Sequence, residues 1–279
     1  MARAATGLER LHGVTLVSVR PPDRPPLPYR ARMAEIVTPE RLWGFEARHD
    51  LDRLLVISPH LDDAIMSCGA LLLAHPGAVA ATIFAASPAE YSDPLNEHDV
   101  ACGFRPGDDT MATRRIEDVR ALELLGATPR WLDFCQNSHV ERPEPTLVPA
   151  GAVDALTAAI AEIAPTAIVA PLGLLHPDHQ ACHAAALATR EVTPEIPWLW
   201  YSDLPYAYVP TVLASRFRAL HRDGITASPA CPEVSHDFAA KWDAFARYAT
   251  QLPPLDAQWR LQDRLERGGE SYWTLDRFS

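Results

Sequence analysis

The sequence contains no C-x-x-C pair, no apolar run fit to span a membrane and no excess of basic charge. Its five cysteines (Cys68, Cys102, Cys135, Cys182 and Cys231) are odd in number and far apart. That excludes a disulfide framework and a structural zinc cluster, and it reads as free thiols in a reducing compartment. Lys and Arg number 25 against 36 Asp and Glu, a formal charge of -11. Nucleic acid and anionic membrane both select for basic surface, so neither is expected as a partner. The N-terminus lacks the apolar centre of a signal peptide, and the nearest membrane candidate, Gly69 to Ala86, is broken by His75-Pro76-Gly77. A cytoplasmic location is expected. Also missing are G-x-G-x-x-G after the first strand, a P-loop and a G-x-S-x-G elbow, so nucleotide-binding and serine-hydrolase readings have no support.

What is there suits one large domain. The 279 residues are 48% hydrophobic, enough for a sizeable core. Residues 1–50 read as an extension: a short strand at 14–17, a proline-rich stretch from Pro21 to Pro28, and a helix starting after Thr38. Such a stretch is extended and semi-rigid, an arm expected to pack on the main body. From residue 51 to 279 strands and helices alternate. Strands are expected at 53–58, 79–84, 130–134, 166–172 and 198–201, with helices near 64–74, 110–125, 151–163 and up to 191. Asp109 fits an N-cap and Gly126 a C-terminal stop of the 110–125 helix, whose apolar face would carry Ala112, Ile116, Val119 and Leu122. A helix bearing Phe238, Trp242, Phe245 and Ala249 follows, then a weaker one over 255–267. This alternation predicts an α/β, Rossmann-like three-layer fold with a mostly parallel sheet in the order 3-2-1-4-5.

Two motifs stand at matching strand ends. Ser58-Pro59-His60-Leu61-Asp62-Asp63 follows Leu54-Leu55-Val56-Ile57, and His176-Pro177-Asp178-His179 follows Ala167-Ile168-Val169-Ala170. In the expected order these two strands are neighbours at the topological switch point, where open sheets bind ligands. Imidazole and carboxylate are the ligands of catalytic zinc. His60, Asp63 and His179 would make a three-ligand set that leaves room for water, with Asp62 facing that water as general base. His176 would face the other side as a protonated electrophile. Each element has a plainer reading: the aspartate pair as a helix cap, Asp178 likewise, and His183 as a competing ligand one turn after His179. Cys68 and Cys135 are conceivable nucleophiles, with nothing selecting either.

These residues resemble the LmbE-like, or PIG-L-like, zinc-dependent N-deacetylases, from about Leu54 to Gln251. Supporting signatures are Arg114-x-x-Glu117-x-x-x-Ala121-x-x-x-Leu125-Gly126 and Lys241-x-x-Ala244-x-x-x-Tyr248-x-x-Gln251. The resemblance implies a metal hydrolase, with one zinc or another divalent ion per chain, that removes an acetyl or other acyl group from an N-acyl amino sugar. It assigns the metal to His60, Asp63 and His179, the base to Asp62, oxyanion stabilisation to His176 and substrate holding to Arg114. Leu61 and Ala64 replace the proline and glutamate of the family's H-P-D-D-E, and Gln136-Asn137 stands where a D-G pair often follows the third strand. Tyr201-Ser202-Asp203-Leu204-Pro205-Tyr206 looks like a segment of members acting on natural-product glycosides, including sugar-bearing antibiotic intermediates. A zinc amidase for a larger amide or thiol conjugate, and a non-catalytic binding module, are the alternatives.

Overall fold

A computed structural model describes residues 51–140, 144 and 146–278, with Arg10–Leu11 and Val14–Thr15. By internal contacts the chain divides into residues 1–44 and 45–279. In the first unit Arg10–Leu11 pairs antiparallel with Val14–Thr15. The proline-rich stretch and the helix expected after Thr38 lie outside the described residues.

The second unit is built on seven strands: β1 (Leu54–Ser58), β2 (Val79–Thr82), β3 (Thr128–Trp131), β4 (Ala167–Pro171), β5 (Trp198–Tyr201), β6 (Ile225–Ala230) and β7 (Tyr272–Arg277). Their order is β3-β2-β1-β4-β5-β7-β6. The first five pair in parallel, as the sequence predicts; β7 then adds antiparallel to β5, and β6 antiparallel to β7. Every residue of β1, β4 and β5 is buried, the mark of central strands covered on both faces. Side chains alternate between two cores: Leu54 and Val56 enter one, Leu55 and Ile57 the other.

The helices are α1 (Asp63–Ala74), α2 (Glu97–Ala101), α3 (Thr110–Leu124), α4 (Ala152–Ile163), α5 (Pro177–Val192), α6 (Val212–Arg222), α7 (Phe238–Phe245), α8 (Leu252–Trp259) and α9 (Leu261–Arg267). Asp109 caps α3 as expected, its carboxylate accepting from Ala112 N at 2.9 Å. The expected apolar face of α3 is a correction: Ile116 is exposed, and the buried face carries Arg114, Glu117 and Asp118 beside Met111, Ala121 and Leu122. Those charges have partners on other elements, so a hydrophobic count misses the side that packs. The weak 255–267 helix is two helices, broken where Arg260 adopts φ 52°.

Helix α1 is kinked at Cys68, where φ is -136°. Glu270 repairs the break, accepting from Ala70 N at 2.7 Å and Leu71 N at 3.2 Å, as a cap does at a helix start. Its charge is met by Lys241 Nζ at 2.5 Å and by the Tyr272 hydroxyl at 2.5 Å. Lys241 is the single lysine of the chain. Its stem lies over Gly69, where a Cβ would come within 2.9 Å of Lys241 Cγ, so this position needs glycine.

Candidate metal and catalytic site

Strands β1 and β4 are hydrogen-bonded neighbours, with Leu54 opposite Ala167 and Val56 opposite Val169. Their carboxyl ends therefore deliver both motifs to one place. The rings of His60, His176 and His179 lie 5.1–5.4 Å apart, and one nitrogen of each falls within 4.8 Å of the others. Asp63 stands between two of them. Its Oδ2 is 3.1 Å from His60 Nδ1 and 3.1 Å from His179 Nε2.

Each of those two imidazoles meets a second carboxylate at its far nitrogen. His60 Nε2 donates to Asp178 Oδ2 at 3.0 Å, and His179 Nδ1 to Asp203 Oδ1 at 2.7 Å. Asp203 Oδ2 also accepts from Gly173 N and Leu174 N, which ties the end of β5 to the turn after β4. An imidazole pinned in this way presents its other nitrogen in fixed direction and tautomer, the usual support of a metal-binding histidine. Donors bound at about 2.0–2.1 Å to a tetrahedral ion lie about 3.3 Å apart, close to the 3.1 Å spacings here. The three imidazoles of His60, His176 and His179 form a group whose spacing could hold a divalent ion, and the Asp63 carboxylate lies 3.1 Å from two of them.

The electrostatics follow from this crowding. Burial pulls the His60 pKa down, but hydrogen bonds to Asp178 and Asp63 overcome it and raise it to about 9. Burial likewise opposes protonation of His179, and the Asp63 charge with the Asp203 bond lifts it to about 10. Asp63 is buried, which favours its neutral form, yet the two imidazoles hold it well below the carboxylate range. Asp62 goes the other way: burial and the neighbouring Asp63 charge raise it to about 6. It occupies the N-cap position of α1 without making a side-chain cap bond, which removes the plainer reading of that residue. Nor does Asp178 cap α5 with its carboxylate. His176 does, its Nδ1 accepting from Asp178 N at 3.1 Å.

That hydrogen bond corrects one expectation. A ring nitrogen that accepts an N–H carries no proton, so the proton of His176 sits on Nε2 and the ring is neutral. Burial, then the charge of His60 and His179, lowers its pKa to about 3. A protonated electrophile is not what the geometry offers; a neutral donor is. The competing ligand His183 is also set aside. It lies one turn further along α5, buried, with Nδ1 donating to Pro171 O at 2.8 Å and its ring against Trp200.

The site opens into a cavity of about 300 Å³. Asp62, Asp63, His60 and His176 line one part, and His98, Arg114, Gln136, Ser138, Gln251 and Gln258 add a polar surface. Met66, Pro205, Tyr206, Leu255 and Trp259 supply the apolar remainder. Arg114 is 2% exposed, so it is not a helix-surface charge. Its Nη2 donates to Asp99 Oδ1 at 2.8 Å, and His139 Nε2 meets the other oxygen at 2.9 Å. Gln136, flagged as the departure from D-G, lines the cavity, and Asn137 N donates to Asp178. Cys68 is buried under the kink of α1, where burial and Glu270 push its thiol up, and no thiolate chemistry is available there.

The sequence alone does not single out Asp203, which lies far along the chain in the Tyr201–Tyr206 segment, legible there only as a likeness to members acting on natural-product glycosides. Nor does it mark Asp178 as an orienting partner, because the H-P-D-H spacing alone fits a cap.

Residues 55–189 match the model of the PIG-L family, described as GlcNAc-PI de-N-acetylase. Among solved structures, the antimicrobial reagent A40926 pseudoaglycone deacetylase Dbv21 is 30% identical over 82% of this chain and 99% of its own, with a TM-score of 0.67. The zinc-inhibited form of teicoplanin deacetylase Orf2 is 26% identical over 81% of this chain and 99% of its own, with a TM-score of 0.68. The N,N'-diacetylchitobiose deacetylase of Pyrococcus horikoshii, 15% identical over 91% and 94%, shares the fold at a TM-score of 0.54. Comparison with curated proteins returns no match. No helix among the described residues is long and apolar enough to cross a membrane.

Proposed function

The chain belongs to the PIG-L family of deacetylases, and from that premise we propose that it is a metal-dependent hydrolase that removes an acetyl or related acyl group from the nitrogen of an amino sugar carried by a larger natural product. The catalytic unit is taken to run from about residue 51 onward. The observation that carries the reading is the double carboxylate cage around His60 and His179, with Asp62 left to face the cavity. Similarity to the A40926 pseudoaglycone and teicoplanin deacetylases supports the substrate class.

His60, Asp63 and His179 are the residues proposed to hold the ion, zinc or another divalent metal that accepts mixed nitrogen and oxygen donors. Such an ion, when bound, supplies Lewis acidity and a water of lowered pKa. The protein's own groups supply the proton inventory. Asp62, raised to about 6, sits near neutrality, where a carboxylate both takes and returns a proton. It accepts the proton of the attacking water, and passes it to the amine nitrogen as the carbon–nitrogen bond breaks. His176 donates from Nε2 to the carbonyl oxygen, an interaction that strengthens as charge develops there. Tyr206, stacked on His176 with ring centroids 6.2 Å apart, limits how that ring turns. Arg114 sits in the cavity wall as a substrate-holding donor.

The test is acetate release from a panel of N-acetylated amino sugars, free and attached to antibiotic-type aglycones, with and without a chelator. Metal-dependent acetate release is expected, and strongest on the glycosylated substrates. Release of acyl groups only from non-sugar amides or thiol conjugates would refute the substrate assignment. Bound metal without any hydrolysis would instead support a binding module.

A further inference from the structure

Two buried nitrogens without a hydrogen-bond partner among the described residues, Gln251 Nε2 and Arg114 Nε, belong to residues that line the same cavity. Gln251 is 5% exposed, and it begins α8, whose Leu255, Gln258 and Trp259 continue the cavity wall. Its backbone is firmly held. Tyr248 OH donates to Asp118 at 2.7 Å, and Thr250 N and Oγ1 each donate to Glu117 at 2.8 Å. Gln251 N then donates to Tyr248 O at 3.1 Å. Helix α3 thus anchors the whole segment, while the one side chain turned to the cavity has an unsatisfied amide.

We propose that Gln251 is a specificity-determining contact whose carboxamide hydrogen-bonds a ring hydroxyl of the amino sugar; this rests on the sugar-deacetylase reading above. A buried amide left without a partner is costly, and an apolar side chain of the same size would avoid that cost. The cost is recovered when a ligand supplies the partner. A carboxamide both donates and accepts, as a sugar hydroxyl does. An anion fits less well, because the Arg114 charge is already met by Asp99. The aromatic part of the lining suits an apolar face of a pyranose. Tyr206 and Trp259, edge to face at 6.2 Å, present apolar surface to its C–H face.

The test compares the wild type with Gln251→Met, which keeps volume and removes the polar atoms. Substrates are an N-acetylglucosamine glycoside that the wild type hydrolyses and its 3-deoxy, 4-deoxy and 6-deoxy analogues. The expected result has three parts. KM rises about tenfold in the variant with kcat little changed. Thermal stability stays level or rises, which a structural role would not allow. One deoxy analogue loses about as much with the wild type as the variant does, and loses nothing further with the variant. Unchanged KM in Gln251→Met overturns the assignment. So does a fall in stability with all analogues affected alike in both enzymes. A wild type silent on every N-acetyl sugar refutes the reading of the whole site, and this contact with it.

Discussion

Metal binding to the free protein should release protons at a pH where ordinary histidines have none to give. His60 and His179 each have a carboxylate at both ring nitrogens, so without an ion both rings are held as imidazolium, with pKa about 9 and about 10. Asp63 is already ionised. At pH 8 the first ring is about nine-tenths protonated and the second almost wholly so, giving about two protons displaced per ion. Two histidines at the usual value of about 6.5 would release almost none. The apparent dissociation constant should therefore fall about a hundredfold per pH unit below pH 9, and more slowly above it. Sign matters for stability too. Raised folded-state pKa values mean the metal-free protein gains stability below pH 6.5 and loses it as pH climbs through 9 and 10. Calorimetric titration in buffers of different ionisation enthalpy counts the protons. Bound solvent contributes equally to wild type and variant, so the decisive quantity is their difference. Asp178→Asn removes the largest upward influence on His60 and should lower the count at pH 8. No difference between the two proteins would refute the caged-histidine argument.

Three further outcomes follow from the same geometry. Asp62→Asn should cut kcat by roughly 10²-fold or more with metal content nearly unchanged, and near-normal kcat would remove Asp62 as the base. Arg114→Ala should both raise KM and lower the melting temperature, because it strips a cation from buried Asp99; a KM effect with unchanged melting would contradict that pairing. Burial raises Asp118 to about 7 although Trp131 and Tyr248 donate to it. Stability from this group is present below about pH 4 and declines as pH rises through 7, so Asp118→Asn should flatten denaturant midpoints across that window.

The parts of the fold visible in the sequence are those where hydrophobicity alone determines position. β1 and β4 are apolar runs, and their adjacency follows from the doubly wound order, which by itself brings the loops of His60, Asp63, His176 and His179 to one place. β6 and β7 were not legible, since Ile225–Ala230 is half exposed, contains Pro229, and gains its place by pairing with a strand more than forty residues later. The buried side of α3 was misread for a related reason. Arg114, Glu117 and Asp118 are stabilised by Asp99, Thr250 and Tyr248, contacts no local period announces. At the site, ligand-type residues declare themselves by spacing, while the carboxylates that orient them need the fold. Asp203 reaches His179 only because β5 lies beside β4.

The solitary Lys241 gives this enzyme a built-in reporter. Feeding isotopically labelled lysine to an expression host marks one backbone amide and one ammonium group, with no assignment needed. That ammonium touches Glu270, which caps the second half of the helix whose first residue is Asp63. A single resonance thus watches the far end of the helix that carries a candidate ligand. Amine-reactive dyes and cross-linkers, by contrast, find this side chain only 6% exposed.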